Sequence, residues 1–308
     1  MWQFEKGLKA TVMSTELIIE ANVSKSVLYK ALNFAREFES TYSAYRADSL
    51  LNKINDNAGI QAINCSAEEL DIFEKSLAIA QESKGIFDPT IGIITQGLFG
   101  FGKSNAKIPT EHELTTAKKL VNYKKFHLSQ TSAFLKEQGM RLDLGGIGKG
   151  YVGDKIIQIL QENGATKGFV SVGGEINAFG KKFTFAIKDP FSQNDVIALL
   201  KTSKEPISIA TSGDYERFIK SQKYHHILNA TTAKQNYYYT SLTLLKNGIH
   251  STTLDAITTI IFNSPPEELE ALSKKYEIAI IAISHKKKII FENYINIKLN
   301  SIELFAFQ

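Results

Sequence analysis

The run Leu142-Asp143-Leu144-Gly145-Gly146-Ile147-Gly148-Lys149-Gly150 constrains this chain more than any other segment. Its glycines and lysine stand between a short apolar stretch, read as a buried strand over Leu142-Asp143-Leu144, and an amphipathic helix expected to run to Asn163 and close at Gly164. Glycines let backbone N–H groups approach an anion closely, and a helix N-terminus adds the positive end of a dipole. A P-loop is excluded, because Gly150 stands where Ser or Thr must follow Gly-Lys. Gly148-Lys149-Gly150-Tyr151-Val152-Gly153 matches the dinucleotide fingerprint G-x-G-x-x-G, and Glu175 lies roughly where a ribose-binding acid belongs. Alternating parallel βα units do not continue after Glu175, however. The simplest alternative is that the glycines serve a tight turn and close packing.

Elsewhere the pattern interleaves strands and helices without βαβ regularity. Strands are expected at Thr11–Ile19, Phe169–Val172, in much of Phe183–Thr211, at Tyr215–Ser221 and at Ser241–Lys246. Helices are expected at about Ser24–Glu39, from a capping box at Ser66 and Glu69 to a stop at Gly85, at Ser251–Phe262, and at Pro266–Tyr276 with Ser264 as cap. A last hairpin, Ile278–Ser284 and Lys288–Ile295, turns at the solvated cluster Lys286-Lys287-Lys288. No linker divides the sequence, so the expectation is a mixed α/β (α+β) fold, one compact domain over 1–308 with mixed sheets flanked by helices.

With 43% apolar and 22% charged residues, the chain has the profile of a soluble globular protein. Its net charge of +4 forms no basic stripe, which argues against nucleic acid. Cys65 is the only cysteine, which excludes an intrachain disulfide and a thiolate metal site. No apolar run reaches the ~18 residues of a membrane span. The start, Met1-Trp2-Gln3-Phe4-Glu5-Lys6, carries neither an apolar signal region nor a lipobox cysteine, so a cytoplasmic location is expected for the sequence as written.

Asp255, Thr258 and Thr259 fall at i, i+3 and i+4 of an expected helix, so a carboxylate and two hydroxyls share a face. Such oxygens suit magnesium, which keeps several waters and needs few protein groups. Equally, Asp255 can hydrogen-bond within its first turns while the threonines bond back to the backbone.

Six stretches in order resemble the FAD:protein FMN transferases, the ApbE-type flavin transferase family: Tyr42 to Asn55, Gly85 to Gly92 with Leu98 to Gly102, Asp143 to Tyr151 with Asp154, Val172 to Ile176, Ala210 to Tyr215, and Asp255 to Thr259. The likeness covers about residues 8 to 283. It implies a single domain of a different α/β fold from the Rossmann type, and Mg2+-dependent transfer of the FMN moiety of FAD to a Thr or Ser hydroxyl of an acceptor protein, with release of AMP. By the same resemblance the metal is held by Asp255 and Thr259, with Thr258 beside them and the backbone carbonyl of Gly148. FAD contacts then fall on Met13, Tyr45, Ile86-Phe87-Asp88, Gly145, Lys149 and Leu228. For Met13 and Tyr45 the alternative is core packing, and for Asp88 a cap on backbone N–H groups.

His226 matches the family's histidine, and with Asp255 it is the expected catalytic residue. The segment after it departs from the family pattern, with Asn229 for aspartate, Ala230 for proline and Ala233 for glycine, although Thr232 is kept. Adjacent His225 leaves an incidental histidine as the alternative. Two other functions therefore stay open: a Mg2+-dependent FAD pyrophosphatase yielding FMN and AMP, and an FAD-binding protein without catalysis. Partners are FAD and an acceptor protein, with no nucleic acid and no membrane span. The family is often exported as a lipoprotein, so a leader removed beforehand is the alternative to the cytoplasmic expectation.

Overall fold

Leu17, Ile19 and Ala21 are buried and alternate with more exposed neighbours in Thr15–Ala21, the period of a strand with one face inward. In the computed structural model, which describes residues 7–192, 194–293 and 297–305, this segment belongs to an eight-stranded sheet. The strands are β1 Gly7–Val12, β2 Thr15–Ala21, β3 Gly168–Val172, β4 Glu175–Phe179, β5 Ile207–Gly213, β6 Ser241–Asn247, β7 Ala279–Ser284 and β8 Lys288–Asn293. They lie side by side in chain order and every neighbouring pair is antiparallel. Met1–Lys6, on which the reading of the N-terminus rests, and Ile295, the expected end of the last strand, lie outside the described residues.

The chain divides into two compact units. The first takes the stretch up to Glu37, Lys149–Gly213 and the chain from Tyr238 on; the second takes Phe38–Gly148 and Asp214–Tyr237. In the first unit, residues opposite one another on paired strands share a face. Glu175 opposite Ala210 and Asn177 opposite Ser208 thus point to one side, as does Ser212. Helices Gly148–Glu162 and Ser251–Phe262 cover that side, with Asn177 donating to Asp154 at 2.9 Å and the hydroxyls of Ser212 and Thr258 3.0 Å apart. On the other side Ile207, Ile209, Leu245, Ile281 and Ile283 pack on Ile187, Ile197 and Leu200 of a three-stranded antiparallel sheet, Thr184–Lys188, Val196–Thr202 and Leu299–Leu304. Each such side chain contributes roughly 1.5–3 kcal/mol of burial. The second unit holds helices Leu50–Asp56, Ala67–Glu82 and Glu111–Lys118, a π-helix Ile93–Phe99 and short antiparallel strands.

Local signals hold where they are self-contained. Ser66 accepts from the Glu69 N–H at 3.2 Å while Glu69 accepts from the Ser66 N–H at 2.7 Å, so the capping box forms. The helix after Ser24 spans Lys25–Tyr42, and Gly164 follows the Gly148–Glu162 helix with φ +85°. Three expectations are corrected. The single strand Thr11–Ile19 is a hairpin, broken at Met13 and Ser14, whose φ values of 50° and 58° make a two-residue turn. Leu142-Asp143-Leu144 is not a strand, because the Asn55 side chain takes both the N–H and the carbonyl of Leu142, at 2.6 and 3.3 Å, and Asp143 N–H donates to Pro89. Ser264 does not cap the following helix; its hydroxyl donates to the Ile260 carbonyl at 3.1 Å, and a 3-10 turn Pro266–Glu268 precedes Leu269–Tyr276.

Exposed Ser14 holds a left-handed conformation that glycine adopts without steric cost. Ser14→Gly is expected to stabilise the protein by about 0.5–1 kcal/mol, read as a raised midpoint in thermal unfolding; a lowered midpoint contradicts this account of the turn.

Candidate active site

In the first unit, helix Ser251–Phe262 begins without a side-chain cap from its own N-cap residue, His250. Asp154, on the helix Gly148–Glu162, supplies one. Its Oδ1 accepts from Ser251 N–H at 2.8 Å, and its Oδ2 from the Thr252 N–H and hydroxyl at 2.9 and 2.6 Å. A carboxylate there also meets the positive end of the helix dipole. The two helices approach so closely that a Cβ on Gly150 would stand 2.0 Å from the Ser251 carbonyl oxygen. Glycine at this position therefore serves the protein backbone. The approach brings Asp255, one turn into the second helix, to the start of the first, where its Oδ2 accepts from Gly150 N–H at 3.0 Å.

Lys149 lies beside it. Its Nζ is 2.7 Å from Glu175 Oε1 and 3.3 Å from Asp255 Oδ1, and the carboxylate side chains are 0% and 3% exposed against 30% for the lysine. Two buried carboxyl groups thus share one ammonium. Burial, reinforced by the nearby Asp255 charge and opposed by Lys149, pushes the Glu175 carboxyl above its ordinary range. Burial disfavours the charged lysine, but Asp255 and then Glu175 overcome it and hold the Lys149 ammonium above its ordinary range. Glu175 Oε2 is buried with no hydrogen-bond partner.

Thr258 and Thr259 differ in their engagement. The Thr258 hydroxyl is fully buried, donates to the Asp255 carbonyl at 2.6 Å and pairs with Ser212. Thr259, half-buried on the Asp255 face, has no hydroxyl partner among the described residues. Oxygen donors on one helical face, beside the buried Asp255 carboxylate, fit a hard divalent cation. No group of three or more His, Cys, Asp or Glu placed to hold a metal occurs among the described residues. Any magnesium here must therefore rely on hydroxyl, carbonyl and water oxygens beside Asp255. Met13, also in the first unit, is half-buried at the β1–β2 turn.

In the second unit a hydrogen-bonded chain links two expected FAD contacts. Tyr45, half exposed, donates to the Phe101 carbonyl at 2.8 Å and accepts from Gln96 Nε2 at 3.3 Å. Gln96 Nε2 also donates to Asp143 Oδ2, as does the Thr95 hydroxyl, and Asp143 Oδ1 accepts from Gly145 N–H at 2.8 Å. Thr95 and Gln96 stand on the π-helix, a form that recurs at functional sites. Gln96 Oε1 is buried and unpartnered. The residue adjoins a cavity of about 330 Å³ lined among others by Asn52, Asn55, Lys103 and Arg141.

Other expected contacts have structural partners. Asp88 is buried and accepts from Thr90 N–H and hydroxyl at 2.8 and 2.7 Å and from Tyr123 N–H at 2.8 Å, while burial raises its carboxyl despite these bonds. Phe87 is buried, the Ile86 carbonyl accepts from Ala230 N–H, and Leu228 packs in an apolar cluster with Ile94, Phe99 and Phe101. Gly148 opens its helix and donates its N–H to the Leu144 carbonyl at 2.8 Å.

His226 follows a short hairpin, Phe218–Ile219 with Ser221–His225, where a longer strand Tyr215–Ser221 was expected. Its backbone N–H donates to the Arg217 carbonyl, and its Nδ1 lies 3.1 Å from the same oxygen. A carbonyl only accepts, so Nδ1 carries the hydrogen and the lone pair of the neutral ring is on Nε2. His225 is fully buried; its Nδ1 accepts from Ile227 N–H and its Nε2 faces the Asn236 carbonyl, an internal structural role. Asn229 accepts from the Thr231 N–H and hydroxyl through its amide oxygen, a turn that aspartate or asparagine closes equally well. Sequence reading placed Asp143 and Asp154 in a family-like stretch but gave them, like Gln96, no contact in the site. Their partners lie 2 to 98 residues away in sequence, and no local spacing signals them.

The ApbE family profile matches residues 10–282, and the chain belongs to this family. Curated relatives bear the name FAD:protein FMN transferase. One from Treponema pallidum is 29% identical over 229 residues, 67% of this chain and 63% of the relative's own length. Another from Klebsiella pneumoniae is 24% identical over 299 residues, 92% of this chain and 90% of the relative. An ApbE protein from Thermotoga maritima has the same fold, with a TM-score of 0.80 at 24% identity over 91% of this chain and 97% of that one. So does the flavin transferase ApbE of Vibrio cholerae, with a TM-score of 0.78 at 21% identity over 98% and 96%. The mixed α+β architecture with antiparallel sheets is that of the family.

Gly150→Ala is expected to destabilise the protein by about 3 kcal/mol or more, because the new methyl meets backbone rather than a flexible side chain. Thermal unfolding measures it; a near-native midpoint would remove the packing role assigned to this glycine.

Proposed function

We propose that this chain transfers the FMN moiety of FAD to a threonine or serine hydroxyl of an acceptor protein in a Mg2+-dependent reaction that releases AMP. The observation that supports this reading most is the buried cluster of Asp255, Lys149 and Glu175 at the head of the glycine-rich helix. It occurs in a chain whose relatives are named for this activity. An anionic pyrophosphate repels nucleophiles, so positive charge placed around it accounts for much of the catalysis. Asp255 and Thr259 would hold Mg2+, which when bound supplies that charge against the phosphate oxygens. Thr258 is the weaker candidate, since its hydroxyl is engaged with Asp255 and Ser212.

The acceptor oxygen bonds to the FMN-side phosphorus while the bond from that phosphorus to the bridging oxygen breaks, and the electron pair leaves with AMP. Lys149 offers a second positive charge to the phosphates. His226, with its lone pair on Nε2, takes the acceptor's hydroxyl proton. The half-exposed Tyr45 ring and the Gly145 backbone contribute to FAD binding, whereas Asp88 and Leu228 support the fold around it.

Incubation of the full chain with FAD and Mg2+, with and without threonine- or serine-bearing peptides, tests the reading by following AMP and flavin-labelled peptide. Acceptor-dependent AMP release is expected. AMP without acceptor identifies a pyrophosphatase, and no AMP identifies a flavin-binding protein. Asp255→Asn keeps an oxygen for the Gly150 N–H but is a far poorer magnesium ligand. Turnover at low Mg2+ is expected to fall at least about 100-fold with the unfolding midpoint retained, and full activity would refute the metal assignment. His226→Ala is expected to lower kcat by about 100-fold with little change in KM for FAD, the pattern of a lost general base; a change in KM alone would assign it to binding.

A further inference from the structure

Lys149 and a divalent cation make competing demands on Asp255. The ammonium already lies on Asp255 Oδ1, the oxygen not taken by the Gly150 N–H. A cation binding that oxygen would face the lysine's charge at close range.

We propose that Glu175 is the seat to which Lys149 withdraws when a divalent cation takes Asp255, so that Glu175 is a positioning residue that sets metal affinity without touching the metal. The inference rests on Asp255 being a metal ligand. Lys149 is shared unequally, its Nζ being 2.7 Å from Glu175 Oε1 against 3.3 Å from Asp255 Oδ1. An ammonium has three N–H donors, and Glu175 keeps a second acceptor, Oε2, buried and without a partner. That oxygen can take the bond Lys149 gives up. Lys149 is the most exposed of the three side chains, at 30% against 0% and 3% for the carboxylates. Asp255 keeps its orientation throughout, because Oδ2 stays on the Gly150 N–H.

Mn2+ binding to the full chain, followed by electron paramagnetic resonance in the absence of FAD, tests this in a double-mutant cycle. Glu175→Gln is expected to weaken Mn2+ binding about tenfold, because Lys149 then stays on Asp255. Lys149→Met is expected to tighten it, and in that background Glu175→Gln should change affinity by less than about threefold. Equal losses in both backgrounds would mean that Glu175 acts on the cation directly, and no loss in the native background would mean that it does not act; either overturns the proposal. Should Glu175→Gln fail to fold, Lys149→Met decides alone, since unchanged or weaker binding overturns it. Asp255→Asn separates the two readings. If it leaves Mn2+ affinity intact, the metal assignment and this inference fall together; if it abolishes binding while the cycle shows no coupling, only the inference falls.

Discussion

One carboxylate and one missing side chain hold the heads of two helices together. Asp154 satisfies the first N–H groups of the helix beginning at Ser251, and Gly150 lets that helix's backbone come within a distance no other residue permits. The candidate site of the first unit follows from this approach. Asp255 reaches the N-terminus of the neighbouring helix because the two helices touch there, and Lys149 meets Asp255 because it precedes the touching glycine. The run that matches a dinucleotide fingerprint does different work here. Gly150 admits a helix, Gly153 lies against the Asn177 side chain, and the sheet beneath is antiparallel throughout.

Beneath those helices the sheet presents an unusually polar line of side chains. Asn177 accepts from the hydroxyls of Ser208 and Ser251 and donates to Asp154, so its amide oxygen and nitrogen are both used. Ser208 also accepts from the His250 N–H. Buried polar groups are tolerable when their bonds are made and costly when they are not. This network meets that condition except at Glu175, where one oxygen is left over. The exception falls beside the residue best suited to bind a cation, where charge is expected to change during function.

Much of the fold was legible in the sequence, and so were some of the site's members. Periodicity located most strands and helices, and the reciprocal pair Ser66–Glu69 marked a helix start correctly. The spacing of Asp255 and Thr259 placed a carboxylate and a hydroxyl on one face. What escaped was set by distant partners. The Met13–Ser14 turn carries no glycine or asparagine to announce it. Leu142 looks like strand because it is buried and apolar, yet a side-chain amide from Asn55 takes its N–H and carbonyl in place of a ladder. Asp154 caps a helix that begins 97 residues later, which no local rule anticipates. The division into two units left no linker to read, because the chain passes between them four times, twice inside helices, at Glu37–Phe38 and at Gly148–Lys149, and once directly at the end of a strand, at Gly213–Asp214. Nor does a seven-residue π-helix have a recognised spacing signal.

The interleaving also orders events on the ribosome. β2 pairs with β3 through Ala21 and Gly168, so the N-terminal hairpin must wait with an unpaired edge while the bulk of the other unit is synthesised. That other unit has all its strands and helices by Tyr237, before β6, β7 and β8 have emerged. Such non-local pairing slows folding and leaves an aggregation-prone strand edge exposed. For a nascent chain of this design, the vulnerable species is a second unit still lacking Asp214–Tyr237 and accompanied by an orphaned hairpin, and the cell's chaperones would meet that species before the sheet can close.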